Sequence, residues 1–64
     1  MNTVYAVFEC LAYEGEYLVG IFTTEEAARN RASLIEESDS LWAEVRKVEL
    51  NKLYDDFTNV GEEI

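Results

Sequence analysis

The sequence has no histidine, a single cysteine and only five basic residues. One cysteine excludes a disulfide within the chain, and without histidine a structural zinc site lacks its usual ligands. A general base that titrates near neutral pH is also missing. The longest apolar run is five residues, 4–8 (VYAVF), far short of the roughly 20 that cross a bilayer. We therefore expect a reduced, cytoplasmic setting, no enzyme activity, no metal site and no cofactor.

Acidic residues dominate the charge of the chain. Fourteen acidic residues against five basic ones give a net charge of −9. Such a surface repels nucleic acid and anionic membranes, and it favours a basic protein as partner. Solubility alone is the other explanation for a charge of this kind. The length of 64 residues allows one small domain, whose marginal stability calls for good packing or oligomerisation.

The N-terminal third has the composition of two β-strands. Residues 3–12 are rich in aromatic and β-branched residues, and both faces of this strand are apolar. We therefore expect it at the centre of a sheet, covered on both sides. A turn at Gly15 leads to a second strand over residues 17–22. Within that strand, Gly20 predicts a bulge or a close approach, and a small residue beneath a packed aromatic ring is the interpretation we favour.

Residues 41–50 predict a third strand, in which the alternation of apolar residues slips midway. A β-bulge at Arg46 and Lys47 would bring all its apolar residues to one face. The alternative is an unbulged strand that changes its apolar face. In either arrangement we expect Trp42 and Glu44 to point away from the helix.

One helix is predicted between the second and third strands. Thr23 and Glu26 have the spacing of a capping box, with Thr23 as the N-cap. We expect the helix to run from about residue 24 to 37, because residues 38–40 are typical of a helix end. Its predicted apolar face comprises Ala27, Ala28, Ala32, Leu34 and Ile35.

These elements predict an α+β fold with the order β-β-α-β. A right-handed crossover gives a three-stranded antiparallel sheet in the order 2-1-3, with the helix on one face. We divide the chain into a core of residues 1–52 and an acidic amphipathic tail of residues 53–64. The tail is expected either to cover the open face of the sheet over Trp42 or to bind a partner.

Four segments resemble a group of very small proteins of unknown function that is common in phages, prophages and bacteria. They are residues 4–7 (VYAV), 13–16 (YEGE), 19–28 (VGIFTTEEAA) and 48–50 (VEL). The resemblance covers about residues 3 to 51, so the tail lies outside it. It implies the same ββαβ fold and a phage-type accessory protein, and it carries over no catalytic or binding residue.

Our first functional hypothesis is a non-enzymatic inhibitor of a host defence or nucleic-acid-handling protein, acting in the bacterial cytoplasm. Imitation of nucleic acid is one way in which an acidic inhibitor can act. We expect acidic and aromatic side chains to make the contacts. The candidate partner-binding residues are Tyr13, Glu14, Glu16, Trp42, Tyr54, Asp55, Asp56, Phe57, Glu62 and Glu63.

The alternative hypothesis is a structural or regulatory accessory protein that forms a homodimer through its open sheet face. Tyr5, Val7 and Trp42 are the residues on which this hypothesis depends. Neither hypothesis involves a catalytic residue, a cofactor, direct binding of nucleic acid or a membrane.

Overall fold

The computed structural model describes residues 2–51 and 61–64. These residues form the strands β1 (Thr3–Leu11), β2 (Gly15–Phe22), β3 (Leu41–Glu49) and β4 (Glu62–Glu63) and the helix α1 (Glu25–Ala32). No described helix has the length and apolar character of a membrane span.

The strands form one antiparallel sheet in the order β2-β1-β3-β4. The α+β class and the predicted neighbours of the central strand are therefore confirmed, but the prediction of three strands is wrong. Residues 62 and 63 add a short fourth strand beside β3. The division into a core of 1–52 and a tail of 53–64 stays a prediction, because residues 53–60 lie outside the described part.

The hairpin of β1 and β2 contains both features that we predicted from its glycines, a tight turn at Gly15 and close packing at Gly20. Gly15 has a φ of +93°, the left-handed backbone that a tight turn uses. Beside Gly20, the register between the two strands shifts, so that Val19 is the extra residue of a bulge. A Cβ atom on Gly20 would lie 3.0 Å from Cε2 of Phe22, which confirms a small residue packed beneath an aromatic ring.

Strand β3 pairs with β1 without interruption from Leu41 to Glu49. The predicted bulge at Arg46 and Lys47 is therefore wrong, and the alternative of an unbulged strand is correct. The apolar pattern changes faces because both faces of β1 are apolar. Val45 packs beneath the helix, whereas Val48 pairs with Val4 on the other side of the sheet.

The core lies between α1 and the sheet. Val7, Ala28 and Val45 are its buried centre, at 0%, 0% and 6% exposure. Partly buried residues complete it, namely Tyr5, Val19, Phe22, Ala32 and Ile35. Because an alanine makes the central contact, the helix can approach the sheet closely. The expected place of Leu34 on the apolar face is wrong, because this side chain is 72% exposed.

The helix begins one residue later than predicted. The hydroxyl of Thr24 accepts the amide hydrogen of Ala27 at 3.2 Å, so the N-cap is Thr24 rather than Thr23. This start gives up the capping box and keeps Glu25 and Glu26 in the first turn, where the helix dipole favours negative charge.

The helix also ends earlier than predicted, at Ala32 instead of about residue 37. The residues that follow make contacts with β3 that a longer helix would exclude. The carboxylate of Glu37 accepts the amide of Ala43 at 3.1 Å, and Ser38 forms a backbone bridge with Leu41. The segment after the helix thus organises the start of β3.

Candidate functional site

Polar side chains gather on the open face of the sheet, which is the face opposite α1. Arg46 lies at their centre and is only 7% exposed. The register sets the arrangement, because Arg46 pairs with Ala6, Glu44 with Phe8, and Trp42 with Cys10. Residues directly opposite in an antiparallel pair share one face. We call Phe8, Cys10, Glu16, Trp42, Glu44 and Arg46 the arginine cluster.

Arg46 joins three strands through its guanidinium group. Its Nη2 atom donates to Oε1 of Glu16 at 2.5 Å and to Oε1 of Glu44 at 2.7 Å. Its Nε atom donates to the same oxygen of Glu44 at 3.0 Å. The guanidinium carbon lies 4.3 Å from the centre of the Phe8 ring, within the range of a cation–π interaction. Since Glu16 belongs to β2 and Phe8 to β1, these contacts tie β3 to both.

The second oxygen of Glu44 accepts the indole hydrogen of Trp42 at 3.2 Å. Trp42 and Glu44 therefore point away from the helix, as predicted. Burial by itself would raise the pKa of Glu44, but the hydrogen bonds from Arg46 and Trp42 outweigh it and lower that pKa below its ordinary value. The carboxylate stays ionised and holds the arginine in place.

Cys10 lies beside this carboxylate and is only 2% exposed. Burial, followed by the charges of Glu44 and Glu16, raises the pKa of its thiol to about 11. The thiol is therefore protonated at neutral pH. A protonated, buried thiol is a weak nucleophile.

The ligand-type atoms of Cys10, Glu16 and Glu44 lie within 4.8 Å of one another, close enough for a metal ion by distance alone. The chemistry of the group does not fit an ion, because both carboxylates already bind the guanidinium of Arg46. A thiolate ligand would also require a proton to leave Cys10. Chemically, this arrangement neutralises a buried cation with carboxylates from two strands, β2 and β3.

The predicted partner-binding residues fall into four places. Glu16 and Trp42 belong to the arginine cluster. Tyr13 and Glu14 lie in the turn before β2, where the side chain of Tyr13 is 97% exposed. Glu62 and Glu63 are the exposed residues of β4, at the edge of the sheet. Four lie outside the described residues, namely Tyr54, Asp55, Asp56 and Phe57.

Reasoning from the sequence missed the central role of Arg46, because it placed this residue at a bulge. The signal was the spacing of Trp42, Glu44 and Arg46, since residues two apart share one face of an unbulged strand. To predict that Glu16 belongs to the arginine cluster, one also needs the pairing register between β1 and β2. The alternation of apolar residues along the strands does not determine that register.

The surface proposed for a homodimer is not one surface. Tyr5 and Val7 pack beneath the helix, whereas Trp42 lies on the opposite face of the sheet. The prediction that these three residues share an open face is therefore wrong, because Tyr5 and Val7 share the helix side of β1, whereas Trp42 pairs with Cys10 on its other side.

The fold and the site define a small α+β domain, with a helix on one face of a four-stranded antiparallel sheet and a buried, ion-paired arginine on the other. The chain belongs to the family described as a domain of unknown function, DUF7336, whose model matches residues 2–59. This agrees with the expected kinship to small proteins of unknown function. No curated protein and no solved structure matches the chain.

Proposed function

We propose that the chain is a non-enzymatic protein-binding module that inhibits a basic host protein, in the manner of a small phage protein. Its target is a defence or nucleic-acid-handling protein in the bacterial cytoplasm, and imitation of nucleic acid is one route to inhibition. The phage element of this proposal rests on the resemblance of the four segments described above. The single observation that carries the choice of a basic partner is the distribution of charge.

Two of the four described basic side chains, Arg29 and Arg46, form ion pairs within the molecule. Arg46 is buried between two carboxylates, and Arg29 pairs with Glu25 at 2.7 Å. Many acidic side chains are exposed on the described surface, among them Glu14, Glu26, Glu36, Asp39, Glu62 and Glu63. An acidic surface of this kind attracts a basic partner and speeds its association.

One exposed aromatic residue adds a means of specific contact. Tyr13 is 97% exposed in the turn before β2, directly beside Glu14. Tyrosine and tryptophan are enriched among the residues that dominate binding energy at protein interfaces. A tyrosine with adjacent acids can insert into a partner while the acids meet its basic groups.

Capture from a bacterial lysate tests this proposal. The immobilised full chain should retain a defined basic protein at low salt and release it at high salt. A matched variant with Glu14→Gln, Glu62→Gln and Glu63→Gln should retain less, because three exposed charges are lost without a change of side-chain size. Substitution is preferable to truncation, since removal of the tail would also remove β4. Capture that persists at high salt, or equal capture by the variant, would contradict the proposal.

The second candidate is a homodimeric accessory protein that uses the open sheet face. Leu18 and Ile21 favour it, because they are 56% and 58% exposed and pair with Phe8 and Ala6 on that face. Sedimentation at tens of micromolar distinguishes the two candidates, because a monomer excludes the dimer.

A further inference from the structure

We propose that the free edge of β2 is the docking strand for an extended, basic segment of the partner protein, which adds to the sheet as a further strand. This inference rests on the proposed function, because it names the part of the surface and the kind of segment that bind. Addition of a strand to a sheet edge is a recurring mode of peptide recognition.

The position of β2 leaves one of its sides open. Among the described residues, β2 pairs with β1 and lies at the end of the sheet order. An edge strand presents backbone N–H and C=O groups that can pair with another chain. Edges that are protected against such pairing often carry lysine or proline, and the sequence of β2, GEYLVGIF, contains neither.

Large apolar side chains are exposed along this edge on both faces of the sheet. Leu18 and Ile21 lie on the open face, and Tyr17, which is 55% exposed, lies on the helix side. An added strand would cover these side chains with its own. The register shift at Val19 divides the edge, so that the residues from Gly15 to Leu18 form its longer regular stretch. We place the pairing there.

Charge selects the occupant of this edge. Exposed acids flank β2, with Glu14 directly before it and Glu26 four residues after it. A segment with lysine or arginine at the end beside Gly15 would therefore meet the opposite charge of Glu14. A second copy fits poorly, because it carries the same net charge of −9 and would bring the same acids to this edge.

A synthetic peptide of alternating valine and lysine is a suitable probe, with a valine–glutamate peptide as its control. Leu18→Lys and Leu34→Lys form a matched pair in the full chain, because both residues are exposed and both changes add one positive charge. We expect Leu18→Lys to raise the Kd of the basic peptide at least about tenfold. Leu34→Lys should change that Kd by less than about twofold. The acidic peptide should not bind.

Hydrogen exchange shows whether the backbone is involved. The basic peptide should slow the exchange of outward-facing amides between Gly15 and Leu18, whereas docking through side chains alone would leave the exchange of those amides unchanged.

If both substitutions weaken peptide binding equally, or if the exchange of those amides is unchanged, edge docking is overturned. The proposal of a charge-driven partner would then still depend on the lysate experiment. Absence of peptide binding while the lysate experiment succeeds also overturns edge docking alone. If the chain forms a dimer without peptide and the same amides exchange slowly in that dimer, the edge binds a second copy, and docking of a basic segment is overturned.

Discussion

Arg46 is the residue on which the open face of the sheet depends. A buried cation is costly unless it is paired and hydrogen-bonded, and Arg46 has carboxylates on two strands and an aromatic ring beneath it. The planar guanidinium suits this site, because it can stack on Phe8 while it donates in its own plane. Removal of one carboxylate would leave part of that charge without a partner.

Glu44→Gln tests this account. The pKa of Glu44 is lowered in the folded state, so its contribution to stability is present above the ordinary glutamate pKa of about 4.3 and is lost as the pH falls through the lower, folded-state pKa. We expect the variant to lose about 1–3 kcal/mol at pH 7. The difference from the native chain, measured by urea unfolding at a series of pH values, should shrink as the pH falls below about 4.3.

Glu36→Gln is the matched control, because Glu36 is exposed on the segment after the helix. It should change the free energy of unfolding by less than about 0.5 kcal/mol. A difference for Glu44→Gln that is the same at pH 2 as at pH 7 would show that ionisation of this carboxylate does not stabilise the cluster.

At the scale of elements, the strands could be predicted well and the ends of the helix could not. Alternation and β-branched residues locate β1, β2 and β3 because these properties are local. After Ala32 the backbone amides of Leu34 and Ile35 bond to carbonyls three residues back, and Glu37 and Ser38 then bind backbone groups of β3. Contacts of that kind join the segment after the helix to β3, so the spacing of apolar residues along the helix does not predict them.

The position of the N-cap gives a direct test at this scale. Thr24→Ala should destabilise the protein by about 1 kcal/mol, because it removes the acceptor for the amide of Ala27. Thr23→Ala is the natural control and should be close to neutral. Thermal or urea unfolding of both variants measures the two effects. A larger loss of stability in Thr23→Ala than in Thr24→Ala would show that Thr23 is the N-cap and forms the capping box with Glu26.

The contact between β4 and β3 depends on Gly61. This residue has a φ of +77°, and a Cβ atom there would lie 2.8 Å from Cγ2 of Val48 and 2.9 Å from the carbonyl oxygen of Lys47. Both the left-handed backbone and the close approach therefore require glycine. Directly after β4, the amide of Ile64 donates to the carbonyl of Val45 in β3 at 3.0 Å, and this bond helps to hold β4 beside β3.

Gly61→Ala should detach β4 while the other strands stay folded. We expect faster hydrogen exchange of the Ile64 amide, which loses its bond to Val45. Gly15→Ala is the control, because Gly15 also has a positive φ but has no atom within 4 Å of the position of an added Cβ. It should cost about 1–2 kcal/mol of backbone strain without a specific effect on Ile64. Unchanged exchange at Ile64 in Gly61→Ala would refute the dependence of β4 on this contact.

At the scale of the whole molecule, the two-sided apolar character of residues 3–12 was enough to place β1 at the centre of the sheet. The fourth strand escaped prediction because it has only two residues, both glutamate, and its pairing with Arg46 and Lys47 is distant in sequence. Of the arginine cluster, charge and aromatic content indicated Glu16 and Trp42, but they do not reveal the register that buries Arg46.

The whole-molecule claim is that an acidic surface, little neutralised by the basic groups, binds a basic protein. The measurement that tests it most directly is the affinity of the full chain for the captured protein over a series of salt concentrations. We expect Kd to rise at least about tenfold between roughly 50 and 500 mM salt, because screening shortens the range of exposed charges. A Kd that stays constant across that range would contradict it, since binding would then not depend on the net charge of −9.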